Sequence, residues 1–197
     1  MLKIRQLQKK RQEEAAAAAA AEFSGNTSDS TNGEVSNEKQ KVSAAQLRLQ
    51  KDITALELPP SIKVIFPEPS DLFHFKLTIN PQQGYYKSGI FEFKIEINNN
   101  FPIEPPKIKC SNKIYHPNID LDGNVCLNIL REDWSPVLNL NSVFIGLNFL
   151  FLEPNPNDPL NKEAANVLVK NKTQFTRNVR DSMRGGYVEH EYYDRVI

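Results

Sequence analysis

The chain has 197 residues, enough for one domain of about 150 residues with a real core plus a tail. Lys and Arg total 24 and Asp and Glu total 24, so the formal charge is zero and nothing global points to nucleic acid or a membrane surface. The two cysteines, Cys110 and Cys126, and the three histidines, His74, His116 and His190, form no CxxC or HxxxH pair, and no metal site is expected. The alanine tract at 15–21 is bracketed by Glu13, Glu14 and Glu22. It is too weakly apolar for a secretory core and too short to span a bilayer. Free thiols in a reducing compartment, cytoplasm and nucleus, are therefore expected.

Composition divides the chain near residue 42, giving 1–42 as tail and linker and 43–197 as the folded domain. Within the first dozen residues, Met1, Leu2, Ile4 and Leu7 are interspersed with basic side chains, and Ile4 and Leu7 share a helical face. Composition alone favours a frayed terminus there. Residues 23–41 are polar and aperiodic, which reads as a disordered linker. Ser43 and Gln46 then make an S-x-x-Q capping box, with Val42 and Leu47 placed as a hydrophobic staple. Leu49, Ile53 and Leu56 continue the helical period until Pro59 and Pro60. Four strands are expected at 62–66, 72–79, 90–97 and 107–110; the third alternates cleanly, with Phe91, Phe93, Ile95 and Ile97 on one face. Short Gly, Pro and Asn-rich links make them an antiparallel meander. The almost wholly apolar 142–152 predicts a helix buried on most sides, residues 161–184 one or two amphipathic helices, and Gly185 and Gly186 a helix C-cap. The class is α+β: N-terminal helix, four-stranded antiparallel meander, C-terminal helices.

The chemistry concentrates in YHPNIDLDGNVCLNIL, residues 115–130. Asp122 and Gly123 signal a tight turn between Ile119 and Val125, and a reversal there sets Asn118 roughly opposite Cys126. A thiol beside an amide donor suits acyl transfer: the thiolate attacks a carbonyl and the N–H steadies the oxyanion. A lone cysteine is more often a buried hydrophobe, the reading preferred for Cys110. His116 precedes Pro117 in a constrained turn and reads as a structural histidine rather than a general base. Trp134 reads as a loop-packing aromatic.

His116-Pro117-Asn118 with Cys126 following resembles the HPN signature of ubiquitin-conjugating enzymes. Phe101-Pro102, Pro105-Pro106, Trp134-Ser135-Pro136 and EPNPNDPLN at 153–161 extend the likeness from about Ser43 to the C-terminus. The resemblance implies the ubiquitin-conjugating fold, with Cys126 as thioester nucleophile. Asn118 would steady the oxyanion or hold the loop, Asp158 would orient or deprotonate the incoming lysine, and His116 and Pro117 would support the site. It implies no cofactor, ATP being used by the upstream activating enzyme.

SAAQLRLQKDI at 43–53, residues 115–134, SMRGGY at 182–187 and the MLKI start are most similar to the conjugating enzymes of Nedd/Rub-type modifiers. That likeness implies several partners: the modifier, its activating enzyme, a RING-type ligase, a Dcn-type co-ligase and a cullin lysine as acceptor. It turns Met1, Leu2, Ile4 and Leu7 from a frayed end into a docking peptide for the activating enzyme or co-ligase, although Arg5 stands where an aromatic anchor is expected. Ile103, Pro136 and Val137 would form the ligase-binding patch. A carrier for ubiquitin itself, a non-catalytic ubiquitin-binding adaptor on the same fold and a Cys–His hydrolase are the competing readings.

Overall fold

A computed structural model describes residues 42–197. The docking peptide expected at Met1, Leu2, Ile4 and Leu7 and the linker at 23–41 lie outside the described residues.

Helix α1 (Ala44–Thr54) starts where the capping box places it: Ser43 is extended, and its Oγ accepts from the Gln46 N–H at 3.1 Å. The helix stops well before the two prolines. Leu56 and Leu58 both pack on the core. Two positions apart they would face opposite sides of a helix, but share a side of an extended chain. The expected staple buries little, since Val42 and Leu47 are both more than half exposed.

Strands β1 (Ile62–Ile65), β2 (His74–Ile79), β3 (Phe91–Glu96) and β4 (Lys107–Cys110) form an antiparallel meander in the order β1-β2-β3-β4. Register puts Leu77, Phe93 and Cys110 in one row and Ile79 beside Phe91. All of these are buried, so period-2 patterning gives the sheet one apolar face.

Helix α2 (Leu140–Leu152) covers that face. Phe151 stacks on Phe91 at 4.5 Å between ring centroids, and Phe144 meets Phe75 edge-on at 6.1 Å. Two acceptors hold its start: Asn139 Oδ1 takes the Ser142 N–H, and Asp52 Oδ2, from α1, takes that of Leu140. Burial on most sides holds, with one stripe left open. Ile145 and Phe149 are 45% and 53% exposed, because they occupy the stripe of α2 turned from the sheet.

Helices α3 (Lys162–Lys170) and α4 (Lys172–Met183) meet at Asn171, which ends one through its N–H to Val167 O and caps the next through Oδ1 to Gln174 N. Arg184 closes α4 and Gly185 follows at φ +78°, the left-handed position after a helix. The glycines do more than end a helix, however. The chain continues as β5 (Arg184–Val188), paired with β6 (Glu191–Arg195) in a hairpin that helices alone did not anticipate. RGGYV and EYYDR lack an alternating apolar pattern. Backbone bonds from Asp194 to Lys113 and from Ile90 to Val196 dock the hairpin on the domain.

Candidate active site

The segment after β4 turns back on itself at Asp122-Gly123. Asp120 Oδ1 accepts from the N–H groups of Asp122 and Asn124, and Gly123 takes φ +83°. A Cβ on Gly123 would collide with Cys110 O, so glycine is required both by φ and by the neighbouring backbone. Across this reversal Ile119 pairs with Val125, and the Cys126 N–H donates to Asn118 O at 2.8 Å. Asn118 and Cys126 thus face each other, as the turn implies.

Their side chains part company. Asn118 Nδ2 donates to Asn155 O at 2.8 Å and Asp158 O at 3.3 Å, and its Oδ1 accepts from Asn155 N at 2.9 Å. The amide, 1% exposed, clamps the 155–158 loop from both directions rather than pointing at the sulfur.

His116 is fully buried and committed at both nitrogens: Nδ1 accepts from Asn118 N at 2.9 Å, and Nε2 donates to Leu150 O at 3.0 Å. Burial pulls its pKa down to about 4. A neutral, fully bonded imidazole has no lone pair for a thiol, so the hydrolase reading lacks its base. Pro117 is buried beside it, and its carbonyl accepts from Asn161 N at 2.9 Å, tying the turn to the start of α3.

Cys126 lies in a groove of about 380 Å³ lined by Leu127, Ile129, Phe149, Pro154 and Asp158 among others. Its Sγ is 3.0 Å from Asp158 Oδ2. Burial and the hydrogen bond to Asp158 hold the thiol above its ordinary value, while Arg131 pulls the other way. Arg131 Nη1 is 2.8 Å from the sulfur and 3.0 Å from the same Asp158 oxygen. Sequence reasoning missed both Arg131 and Asn155. The signal for Arg131 was a cation five residues after the cysteine, brought back to it by the 3-10 turn Asn128–Leu130. Cys110 is no less exposed than Cys126, at 5% each, but it packs in the hydrophobic core and is pushed up to about 12. Among the described residues no cluster of His, Cys, Asp or Glu is arranged to hold a metal ion.

Ile103, Pro136 and Val137 are exposed, Ile103 by 75% and Val137 by 85%, on two loops held together from behind. Trp134 Nε1 donates to Pro102 O and Ile103 O, and Arg48 of α1 donates to Pro136 O and Leu138 O. The loops are fixed by polar bonds while their apolar tips face solvent.

Residues 48–183 match the family model described as ubiquitin-conjugating enzyme. The chain is 60% identical over 157 residues to the Nedd8-conjugating enzyme UbcE2M of Drosophila melanogaster, covering 80% of this chain and 87% of that one. It is 48% identical to the NEDD8-conjugating enzyme UBC12 of Saccharomyces cerevisiae, over 100% of this chain and 99% of the relative. A solved structure of S. cerevisiae Ubc12 superposes with a TM-score of 0.74 at 46% identity, covering 98% of each chain.

Proposed function

This chain belongs to the ubiquitin-conjugating enzyme family, and from that premise we propose that it conjugates a Nedd/Rub-type modifier, carrying it as a thioester on Cys126 and passing it to a lysine. The observation that carries the reading is the groove-lining thiol of Cys126 with a carboxylate, Asp158, 3.0 Å from it. Names of relatives over most of the chain support the choice of modifier, since each acts on NEDD8.

In the charging step the Cys126 thiolate attacks the thioester between modifier and activating enzyme, and the activating enzyme's thiol leaves. Exchange between similar thiols is close to thermoneutral, so the step needs no cofactor; ATP is consumed earlier, by the activating enzyme. The modifier's C-terminal tail lies in the Cys126 groove, and exposed Phe149 at its wall gives the modifier an apolar surface to rest on. In the transfer step Asp158 orients the lysine nitrogen toward the thioester carbonyl. Asn118 acts by holding the 155–158 loop, which fixes Asp158 against the sulfur. His116 and Pro117 keep the turn in place.

Ile103, Pro136 and Val137 receive a RING-type ligase, an exposed apolar patch being what such an interface requires. Met1, Leu2, Ile4 and Leu7 dock on the activating enzyme and on a Dcn-type co-ligase, and a cullin lysine is the acceptor. Cytoplasm and nucleus are the compartments this reading implies.

The test charges the protein with ATP and either the Nedd-type or the ubiquitin activating enzyme, each with its own modifier. A thiol-sensitive adduct with the Nedd-type system alone supports the proposal. An adduct with ubiquitin alone replaces it by the ubiquitin-carrier reading, and no adduct with either leaves the adaptor.

A further inference from the structure

Three atoms form a near-equilateral triangle at the mouth of the groove. Cys126 Sγ is 3.0 Å from Asp158 Oδ2, Asp158 Oδ2 is 3.0 Å from Arg131 Nη1, and Arg131 Nη1 is 2.8 Å from Cys126 Sγ. We propose that Arg131 is the counter-charge of the transfer step, balancing Asp158 while that carboxylate orients the acceptor amine and then receiving the sulfur as the thioester breaks. The inference rests on the carrier reading above.

A carboxylate alone is a poor partner for an acceptor lysine. It attracts the ammonium and stabilises the protonated form, which has no lone pair to attack with. A guanidinium on the same carboxylate oxygen cancels that pull. The amine then meets a carboxylate that still accepts a hydrogen bond and fixes direction, in a site whose two fixed charges sum to zero.

The sulfur gains as well. In the resting thiol, Asp158 Oδ2 accepts from Sγ–H and from Arg131 together. In the thioester the sulfur carries no proton, so the Asp158 oxygen is released from it and turns to the amine. As nitrogen attacks the carbonyl, the C–N bond forms and the C–S bond breaks. Sulfur leaves with the bonding pair beside the guanidinium, and the proton shed by nitrogen ends on it, restoring the Cys126 thiol. A fixed cation where charge develops is the common form of electrostatic catalysis.

The placement of Arg131 fits this use better than a role in packing. Its side chain is 50% exposed. Among the described residues its guanidinium hydrogen-bonds only Cys126 and Asp158, with Glu132 a looser ion partner at 3.6 Å. The charged groups facing the sulfur are therefore Asp158 and Arg131, with Glu132 behind the arginine and Glu153 along the groove wall.

The experiment measures single-turnover discharge at saturating free lysine, so that the profile reports the bound amine, after charging to completion and quenching the activating enzyme, from about pH 6 to about pH 10. Wild type, Arg131→Gln, Arg131→Lys, Asp158→Asn and the Arg131→Gln/Asp158→Asn double variant are compared. The rising limb of the Arg131→Gln profile should move up by about one pH unit. Arg131→Lys should hold it near wild type, Asp158→Asn should move it down, and the Arg131→Gln/Asp158→Asn double variant should return toward wild type because the two opposite charges leave together. A uniform loss of rate at every pH in Arg131→Gln, or a double variant whose limb stays as far up as that of Arg131→Gln, overturns the inference and leaves Arg131 a structural residue. Wild-type protein that never forms the thioester overturns the carrier reading itself.

Discussion

Replacing Asn118 with alanine removes three hydrogen bonds at once: Nδ2 to Asn155 O, Nδ2 to Asp158 O, and Asn155 N to Oδ1. At 1% exposure the site offers the loop backbone little water in exchange. Each bond contributes about 0.5–1.5 kcal/mol net. The longest, at 3.3 Å, belongs at the low end. The variant should therefore lose about 1.5–3.5 kcal/mol of unfolding free energy, read as a lower urea midpoint at unchanged slope. Asn118→Asp should be no milder, because it keeps the acceptor for Asn155 N but sets an oxygen against two carbonyl oxygens. Discharge to lysine should fall in step, since Asp158 is no longer held beside the sulfur. An Asn118→Ala protein that unfolds at the wild-type midpoint yet has lost discharge would refute this reasoning and return the amide to the oxyanion role.

Three further outcomes are expected. His116 is held neutral in the fold, at about 4 against an ordinary 6.5, so the unfolded chain binds the extra proton between those values and stability should fall by about 3 kcal/mol as pH drops from 6.5 to 4. That His116 contribution is complete above about pH 6.5, and His116→Gln should flatten this part of the slope in urea titrations against pH. Gly123→Ala combines a left-handed backbone with a clash on Cys110 O; it should lower the melting temperature and slow charging, and a variant with wild-type melting would contradict the reading of the turn. Iodoacetamide on the native protein at neutral pH should modify Cys126 and spare Cys110; Asp158→Asn should quicken the Cys126 reaction several-fold by removing the negative charge that disfavours its thiolate, and peptide mapping over time reads both.

Much of this architecture is visible as period. Phe91, Phe93 and Ile95 alternate, and β3 buries that face; Ser43 and Gln46 mark the start of α1 to the residue. The turn at Asp122-Gly123 was legible because few sequences besides Asp-Gly suit a left-handed turn position, and it correctly set Asn118 across from Cys126. What escaped was decided by tertiary contact. The β5–β6 hairpin depends on bonds to Lys113 and Ile90, far away in the chain, rather than on any pattern in RGGYV. Helix α2 is buried on most sides as expected, but which stripe stays open was not legible: apolar Ile145 and Phe149 face solvent, Phe149 at the groove wall. Arg131 reads as an ordinary charged residue until the 3-10 turn folds it over the sulfur. The direction of the Asn118 side chain follows from where the 155–158 loop passes, which local sequence does not encode.

Whether Cys126 carries the modifier is tested most directly by intact-mass measurement. The 197-residue chain would be incubated with ATP, a Nedd-type modifier and its activating enzyme. One added modifier mass is expected, removed by thiol reductant, retained in Cys110→Ala and absent in Cys126→Ala. An adduct that resists reductant or persists in Cys126→Ala would contradict the carrier reading, as would no adduct on a folded protein.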